Sequence, residues 1–465
     1  MPTRVLVIGG GISGLAAAVT LREAGVDVAL LEASDRLGGP VYTQRRDGFI
    51  IDAGPDSFLS SKPGGIDFAR RLGVEDQIVG TAPDGGGTFI VHQSRMVPLP
   101  EGITMLVPTQ FRQILESPLL NLPGKLRLLA DYFIPARRSD DDEPVGAFMR
   151  RRVGQQAFEN LAEPLLSGIF AGDANQLSIL STFPRLREAE QRHGGLIRAA
   201  LAARRAPVRS PSGGAHTPFV SFREGLGTIV EAAARRIGED RIHLNTAAMS
   251  LERHLDGGFS VTTADGQRFD GDAVILATPA GPTADLLEEH APDAARLLRE
   301  IPYVSSATVS MAFRERDVRE RAGGRGFVVP RVEGFDLTAV TWSSRKFAGR
   351  APEGRALLRG FVGRAGNEEP AFLPDDRVIE IVRRDLAAIT GLVAEPLFAR
   401  VFRWHHAMPQ YHVGHRDCVA AIERAIGAVP NLVVTGAAYH GVGIPDCISN
   451  ATAVARSLLT GLAAR

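Results

Sequence analysis

The chain begins with a strand, a glycine turn and a helix whose residue types leave little choice of partner. Val5, Leu6, Val7 and Ile8 run without a break into Gly9, Gly10, Gly11 and Gly14, and Glu32 closes the next apolar run, Val28 to Leu31. Four consecutive apolar residues suit a parallel strand buried on both faces. Gly9 permits a tight turn, Gly11 lets backbone approach a pyrophosphate at the positive end of the following helix, and Gly14 lets helix and strand pack closely. The helix, expected over residues 13–24, carries Leu15, Ala18, Val19 and Leu21 at helical spacing and stops at Gly25. Glu32 lies 18 residues past Gly14, where a carboxylate accepts hydrogen bonds from ribose hydroxyls and repels a 2′-phosphate. A tight turn alone would account for the glycines but not for strand, helix and acid in register, so a dinucleotide site is expected.

At 465 residues the chain exceeds one ordinary core, and 44 % hydrophobic with 23 % charged residues is the composition of a globular protein. The 53 basic and 53 acidic residues cancel, which excludes a nucleic-acid partner held by a basic field. Arginine supplies nearly all the positive charge, lysine standing only at Lys62, Lys125 and Lys346. Cys418 and Cys447 are too few for a disulfide scaffold and lack zinc-site spacing, so two buried thiols, no metal and a reducing compartment are expected. The first residues have no signal-peptide pattern, and no run of about 18 apolar residues occurs, so the expectation is a cytoplasmic protein.

The expected fold class is α/β, a discontinuous Rossmann-like dinucleotide domain with a mixed α+β substrate domain and a helical subdomain. Residues 1–85, 216–290 and 401–465 would form the dinucleotide domain, 86–215 a helical subdomain and 291–400 a second sheet. A helix is read at 227–237, strands at 242–244, 259–263 and 267–269, and a buried strand in 272–279 that fits the dinucleotide domain as a neighbouring strand. Strand-like stretches recur at 308–313, 326–330, 337–342 and 356–362, and the tail holds a strand at 431–436 and a helix at 447–462. Residues 96–135 are rich in Leu, Pro and Met, with Phe111, Leu115, Leu119, Leu120, Leu122, Leu126, Leu128, Leu129 and Phe133. They read as helices that are core, the cover of an apolar cavity, a partner face or a peripheral membrane face. Residues 204–218 read as an irregular loop.

Further motifs stand beyond the first turn: Arg36-Leu37-Gly38-Gly39, Gly54-Pro55-Asp56-Ser57-Phe58-Leu59, Gly168-Ile169-Phe170-Ala171-Gly172-Asp173, Phe222-Arg223-Glu224-Gly225-Leu226-Gly227, Met408-Pro409-Gln410-Tyr411 and the stretch from Tyr439 to Cys447. With these the chain resembles, over nearly its whole length, the flavin-dependent porphyrinogen oxidases of haem biosynthesis, within the wider flavin amine oxidase group. The resemblance implies FAD as cofactor and oxidation of a porphyrinogen to the porphyrin. Six electrons would leave in three flavin cycles, with oxygen as acceptor and hydrogen peroxide as product.

Carried over residue by residue, the resemblance assigns FAD to Gly9, Gly10, Gly11, Ile12, Ser13, Gly14, Glu32, Arg36, Gly39, Pro40, Gly54, Pro55, Asp56 and Ser57. Ala248 would meet it through backbone and Trp404 by packing, with Val442, Gly443 and Ile444 at the isoalloxazine end. Pro40 and Ala248 depart from the family's usual basic or bulky residue and valine, and Asn450-Ala451 stands where Ser-Gly is usual. Lys62 would face a substrate propionate or is a solvated lysine. Gly168 faces substrate or ends a helix, and Phe327 and Val328 line the slot or belong to ordinary core. His405, His406, His412 and His440 are acid–base candidates by pKa alone, and none is assigned a role. An amine oxidase on the same fold is the alternative, and four propionates (coproporphyrinogen III) are weakly favoured over two (protoporphyrinogen IX) by Lys62.

Overall fold

The computed structural model describes residues 3–463 except 101–102, 105–106, 109–115, 206–216, 256 and 319–323. The first apolar run is strand β1 (Arg4–Ile8), followed by helix α1 (Ile12–Glu23) and strand β2 (Asp27–Leu31). They belong to a five-stranded parallel sheet in the order Ile242–His243, β2, β1, Ala273–Leu276, Leu432–Val434. Strands from three distant parts of the sequence thus complete one sheet, the discontinuous arrangement expected.

Side chains of β1 alternate between two cores. Val5 and Val7 face α1 and the helices Gly227–Ile237 and Ile444–Ala463, while Leu6 and Ile8 face a small antiparallel sheet (248–271) and the helix His415–Ile426. Each of these four side chains is at most 2 % exposed, and burying one contributes about 1.5–3 kcal/mol, which is why the run contains no polar residue. The helix Gly227–Ile237 starts where the 222–227 motif places it. Leu226 N–H donates to Asp52 Oδ1 at 2.8 Å, and Gly227 N–H to Thr43 Oγ1 at 2.7 Å. Two orphan donors of the helix start are thereby satisfied.

The second sheet has seven strands, ordered Phe398–Pro409, Tyr303–Arg314, Arg355–Val362, Leu337–Thr341, Gly326–Val328, Thr88–His92, Arg95–Pro98. Its last two strands come from the stretch read as helical, and its first runs across residue 401, where the final dinucleotide block was expected to begin. The hairpin escaped notice because its turn is made by Gln93 and Ser94, both at positive φ (51° and 57°) without glycine. Glu333 stabilises that turn by accepting from both amides, at 2.9 and 3.0 Å.

Helices from Leu122–Leu129 to Leu196–Arg205 surround a third core. The Leu-rich segment divides: Leu119, Leu120 and Leu128 are buried in it, whereas Leu122, Leu126 and Phe133 are exposed. Phe111, Leu115 and most of the 204–218 loop lie outside the described residues. Among the described residues no helix is long and apolar enough to cross a membrane.

A Cβ at Gly14 would lie 1.9 Å from the backbone oxygen of Gly9, so Gly14→Ala must push α1 off β1. Urea unfolding of this variant is expected to show a loss of at least about 2 kcal/mol.

Candidate functional site

The site is built where parallel strands end. Gly9 turns the chain at φ +104°, its amide donating to Leu31 O at 2.8 Å; a side chain there would strike Ala277 O. Gly11 caps α1 in extended backbone (φ −67°, ψ 175°) with no side-chain cap, and no described atom lies within 4 Å of where its Cβ would stand. A helix start with free N–H groups and open space in front of it is an anion cradle. Glu32 frames it: Oε2 accepts from Gly10 N–H at 2.6 Å, and Oε1 from Ser34 N–H and Oγ at 2.9 and 2.6 Å. Thr246 N–H reaches Glu32 O at 2.8 Å, which brings the segment before Ala248 alongside.

A second turn closes over the first. Gly38 N–H donates to Gly10 O, Arg36 Nη1 to Gly39 O at 2.7 Å, and a side chain on Gly39 would come up against the Gly11 Cα. The carbonyl of Pro40 abuts Gly54, which in turn faces the Trp404 ring. The Arg36 guanidinium lies 4.5 Å over Tyr42 and 6.0 Å over Trp404. Trp404 Nε1 is buried with no hydrogen-bond partner among the described residues. A buried indole donor left open this way calls for an acceptor that the chain itself does not supply.

The first turn of the final helix adjoins that of α1, Ser13 and Cys447 sharing a side-chain hydrogen bond. Burial pushes the Cys447 thiol up to about 11, so it stays protonated. Tyr411 holds the preceding loop: its hydroxyl donates to Ala437 O at 2.5 Å and accepts from Gly441 N–H at 2.9 Å. Val442 packs against the helical core to which Tyr411, Leu166 and Phe170 belong. Lys62 pairs with Asp446 at 2.5 Å, at the start of the same helix as Ile444.

The surroundings of several candidate residues are defined here. Asp56 is not a free ligand: its carboxylate takes Lys346 Nζ at 2.7 Å, Arg359 Nη2 at 3.0 Å and the Ser57 hydroxyl at 2.7 Å. Phe327 points into the core under the second sheet, because strand alternation sends only its neighbour Val328 to the helical side. Gly168 sits inside the helix Glu163–Phe170 with open space beyond its missing side chain, while Ala171 (φ +48°) takes the left-handed C-terminal position. The histidines, to which the sequence assigns no role, have partners of their own: His440 binds Glu423, and His405 and His406 lie against Phe372. Val442, Gly443 and Ile444, by contrast, lead directly into the final helix, whose Cys447 bonds Ser13.

Arg359 and Lys346 were missed, although each left a trace. Arg359 is the one charge inside the apolar stretch 356–362, and Lys346 is one of three lysines. Arg359 Nη1 also donates to Asp52 O and Gly54 O at 2.6 and 2.5 Å, fastening the Gly-Pro-Asp-Ser turn to the second sheet. Burial alone would raise the Asp56 carboxyl, but the Lys346 and Arg359 charges outweigh it and hold its pKa well below the usual carboxylate range. Asp52 behaves oppositely: burial pushes its carboxyl up, despite Arg350 at 3.4 Å.

The model for flavin containing amine oxidoreductases matches residues 12–459. The chain belongs to that family. Among its relatives, the coproporphyrinogen III oxidase of Bacillus subtilis (strain 168) is 37 % identical over 98 % of both chains. The chloroplastic protoporphyrinogen oxidase of Nicotiana tabacum is 28 % identical over 99 % of this chain and 86 % of its own. A crystal structure of a protein from Exiguobacterium sp. 255-15 has a TM-score of 0.87 at 32 % identity, covering 99 % of both chains. As a member of the flavin family the protein takes FAD, and the cradle fits it: an uncapped helix start, an open face at Gly11 and an unanswered indole donor.

Two variants separate cradle from scaffold. Gly11→Ala meets neither a neighbour nor strain, so urea unfolding of the apoprotein should change by less than about 0.5 kcal/mol. Its FAD affinity should fall at least about tenfold in equilibrium titration. Asp56→Asn leaves buried cations facing a neutral group and should cost about 3 kcal/mol at pH 7. Because the native carboxyl titrates below its unfolded value, wild type keeps this advantage above about pH 4 and loses it as pH falls further. Stability curves of the two proteins are therefore expected to converge in acid.

Proposed function

We propose that the protein oxidises coproporphyrinogen III to the porphyrin, with oxygen as electron acceptor and hydrogen peroxide as product. The observation that carries this reading is the end-to-end match to the coproporphyrinogen III oxidase at 37 % identity, against 28 % for the protoporphyrinogen oxidase. The site suits it. Gly168 leaves its helix face open, and Val328 and Val442 both pack against the same helical core, an apolar wall suited to a large flat ring.

FAD, when bound, supplies the hydride acceptor. We place it on Gly9 to Gly14, Glu32, Arg36, Gly39, Pro40, the backbone of Gly54 to Ser57, Ala248 and Trp404, with Val442 to Ile444 at the reacting end. The chain's own part is to hold the macrocycle in near-attack geometry and keep water out. Lys62 offers a propionate a half-exposed ammonium; Asp446 holds it meanwhile and keeps its donors ordered. None of the histidines is needed as a base, since pyrrole protons can leave to water as the ring tautomerises.

The holoprotein mixed without air with coproporphyrinogen III is expected to lose its flavin absorbance, recover it when air is admitted, and accumulate porphyrin fluorescence. Protoporphyrinogen IX should react more slowly and putrescine not at all. Bleaching by putrescine alone would assign the protein to the amine oxidases instead.

A further inference from the structure

The helix Glu163–Phe170, which carries Gly168, is short and begins awkwardly. Pro164 has no N–H to give to the carbonyl of Asn160, and the chain ahead of it winds as a π-turn over Phe158–Ala162. Such a segment is poorly held by its own hydrogen bonds, and the fold holds it from outside. Phe170 O accepts from Gln410 Nε2 at 2.9 Å, Ala171 O from the amide of Ala365 at 2.7 Å, and Gly172 O from Arg331 Nη2 at 2.9 Å. Three donors from three separate parts of the chain thus cap the end of one helix.

Arg331 does more than cap. Its Nη1 donates to Ala365 O and its Nε to Glu163 Oε1, both at 2.8 Å. One guanidinium therefore joins the first residue of the helix, the chain just past its end and the turn that docks on it. Glu163 is 5 % exposed, and its second oxygen has no hydrogen-bond partner among the described residues. A pair with one carboxylate buried and a guanidinium about a third exposed is a weak stabiliser compared with well-packed apolar side chains. Its fixed three-way fork, however, defines position in a way that no apolar contact can.

We propose that Arg331 is a positioning residue for the reaction: by clamping Glu163, Ala365 and Gly172 it fixes where the open face at Gly168 stands relative to the loop at Val442. This rests on the porphyrinogen reading above for its catalytic consequence, but not for its structural one. The test uses the holoprotein with Arg331→Met, Arg331→Lys and the same-sized Glu163→Gln. With no substrate present, amide hydrogen exchange across residues 165–172 is expected to quicken about tenfold or more in Arg331→Met, and less in Glu163→Gln. Without air, flavin reduction by coproporphyrinogen III should slow about tenfold or more, because a small displacement forfeits near-attack geometry. Flavin content and the rate at which air reoxidises chemically reduced flavin should stay within about twofold. Arg331→Lys should not restore the rate, since an ammonium cannot span three acceptors held apart. Unchanged exchange in this segment overturns the proposal, and so does faster exchange with an unaltered reduction rate. A rate loss that merely follows loss of flavin also overturns it. If wild type itself is not bleached by any porphyrinogen, the functional reading fails, and the exchange data alone decide whether Arg331 holds the helix.

Discussion

The start of α1 is the constraint to which the rest of the molecule answers. Its leading N–H groups have no side-chain cap, and Gly11 leaves the space in front of them open. Such a terminus is tolerable only if something anionic is meant to sit there. Holding it open requires β1 and α1 to be rigid, hence the apolar run shared between two cores and a helix buried along most of its length. It also requires backbone from elsewhere to approach without filling the space, which Gly38, Gly39 and Gly54 do.

Rigidity between the two sheets is supplied electrostatically. Asp52 and Asp56 lie one residue to each side of the Ala53–Pro55 step, and Arg350, Arg359 and Lys346 reach them from the second sheet and its neighbouring loops. Asp52 in addition starts the helix Gly227–Ile237. The same few carboxylates thus register the dinucleotide turn against the sheet that carries Val328 and Trp404. The burial that makes this arrangement costly also makes it directional, because each buried cation has few acceptors to choose from.

How much of this could be read from the residues depends on the range of the interaction. The glycine turn, Glu32 and the alternation of β1 are local, and they stand in the structure as the sequence implies. The turn at Gln93 and Ser94 is also local but silent, since neither residue advertises positive φ. Phe327 and Val328 differ only in strand parity, which no property of the pair reveals until the partner strands are known. Asp56 with Lys346, and Arg331 with Glu163, join residues 290 and 168 positions apart. Such pairs leave only the faint trace of a charge amid apolar neighbours. The helix cap at Asp52 belongs to the same class, explaining the 222–227 motif as scaffold rather than ligand contact.

The fifth strand of the parallel sheet and the long helix beside α1 come from the last 34 residues of the chain. The opening motif therefore has no finished wall to rest on until a strand and a helix far along the chain have been made. Pairings over such sequence separations close slowly. A truncated or stalled product would display its greasy β1 face and an empty coenzyme cleft, a combination that quality-control proteases can recognise. The coenzyme cradle is walled on all sides only once those segments, distant in sequence, have docked against it.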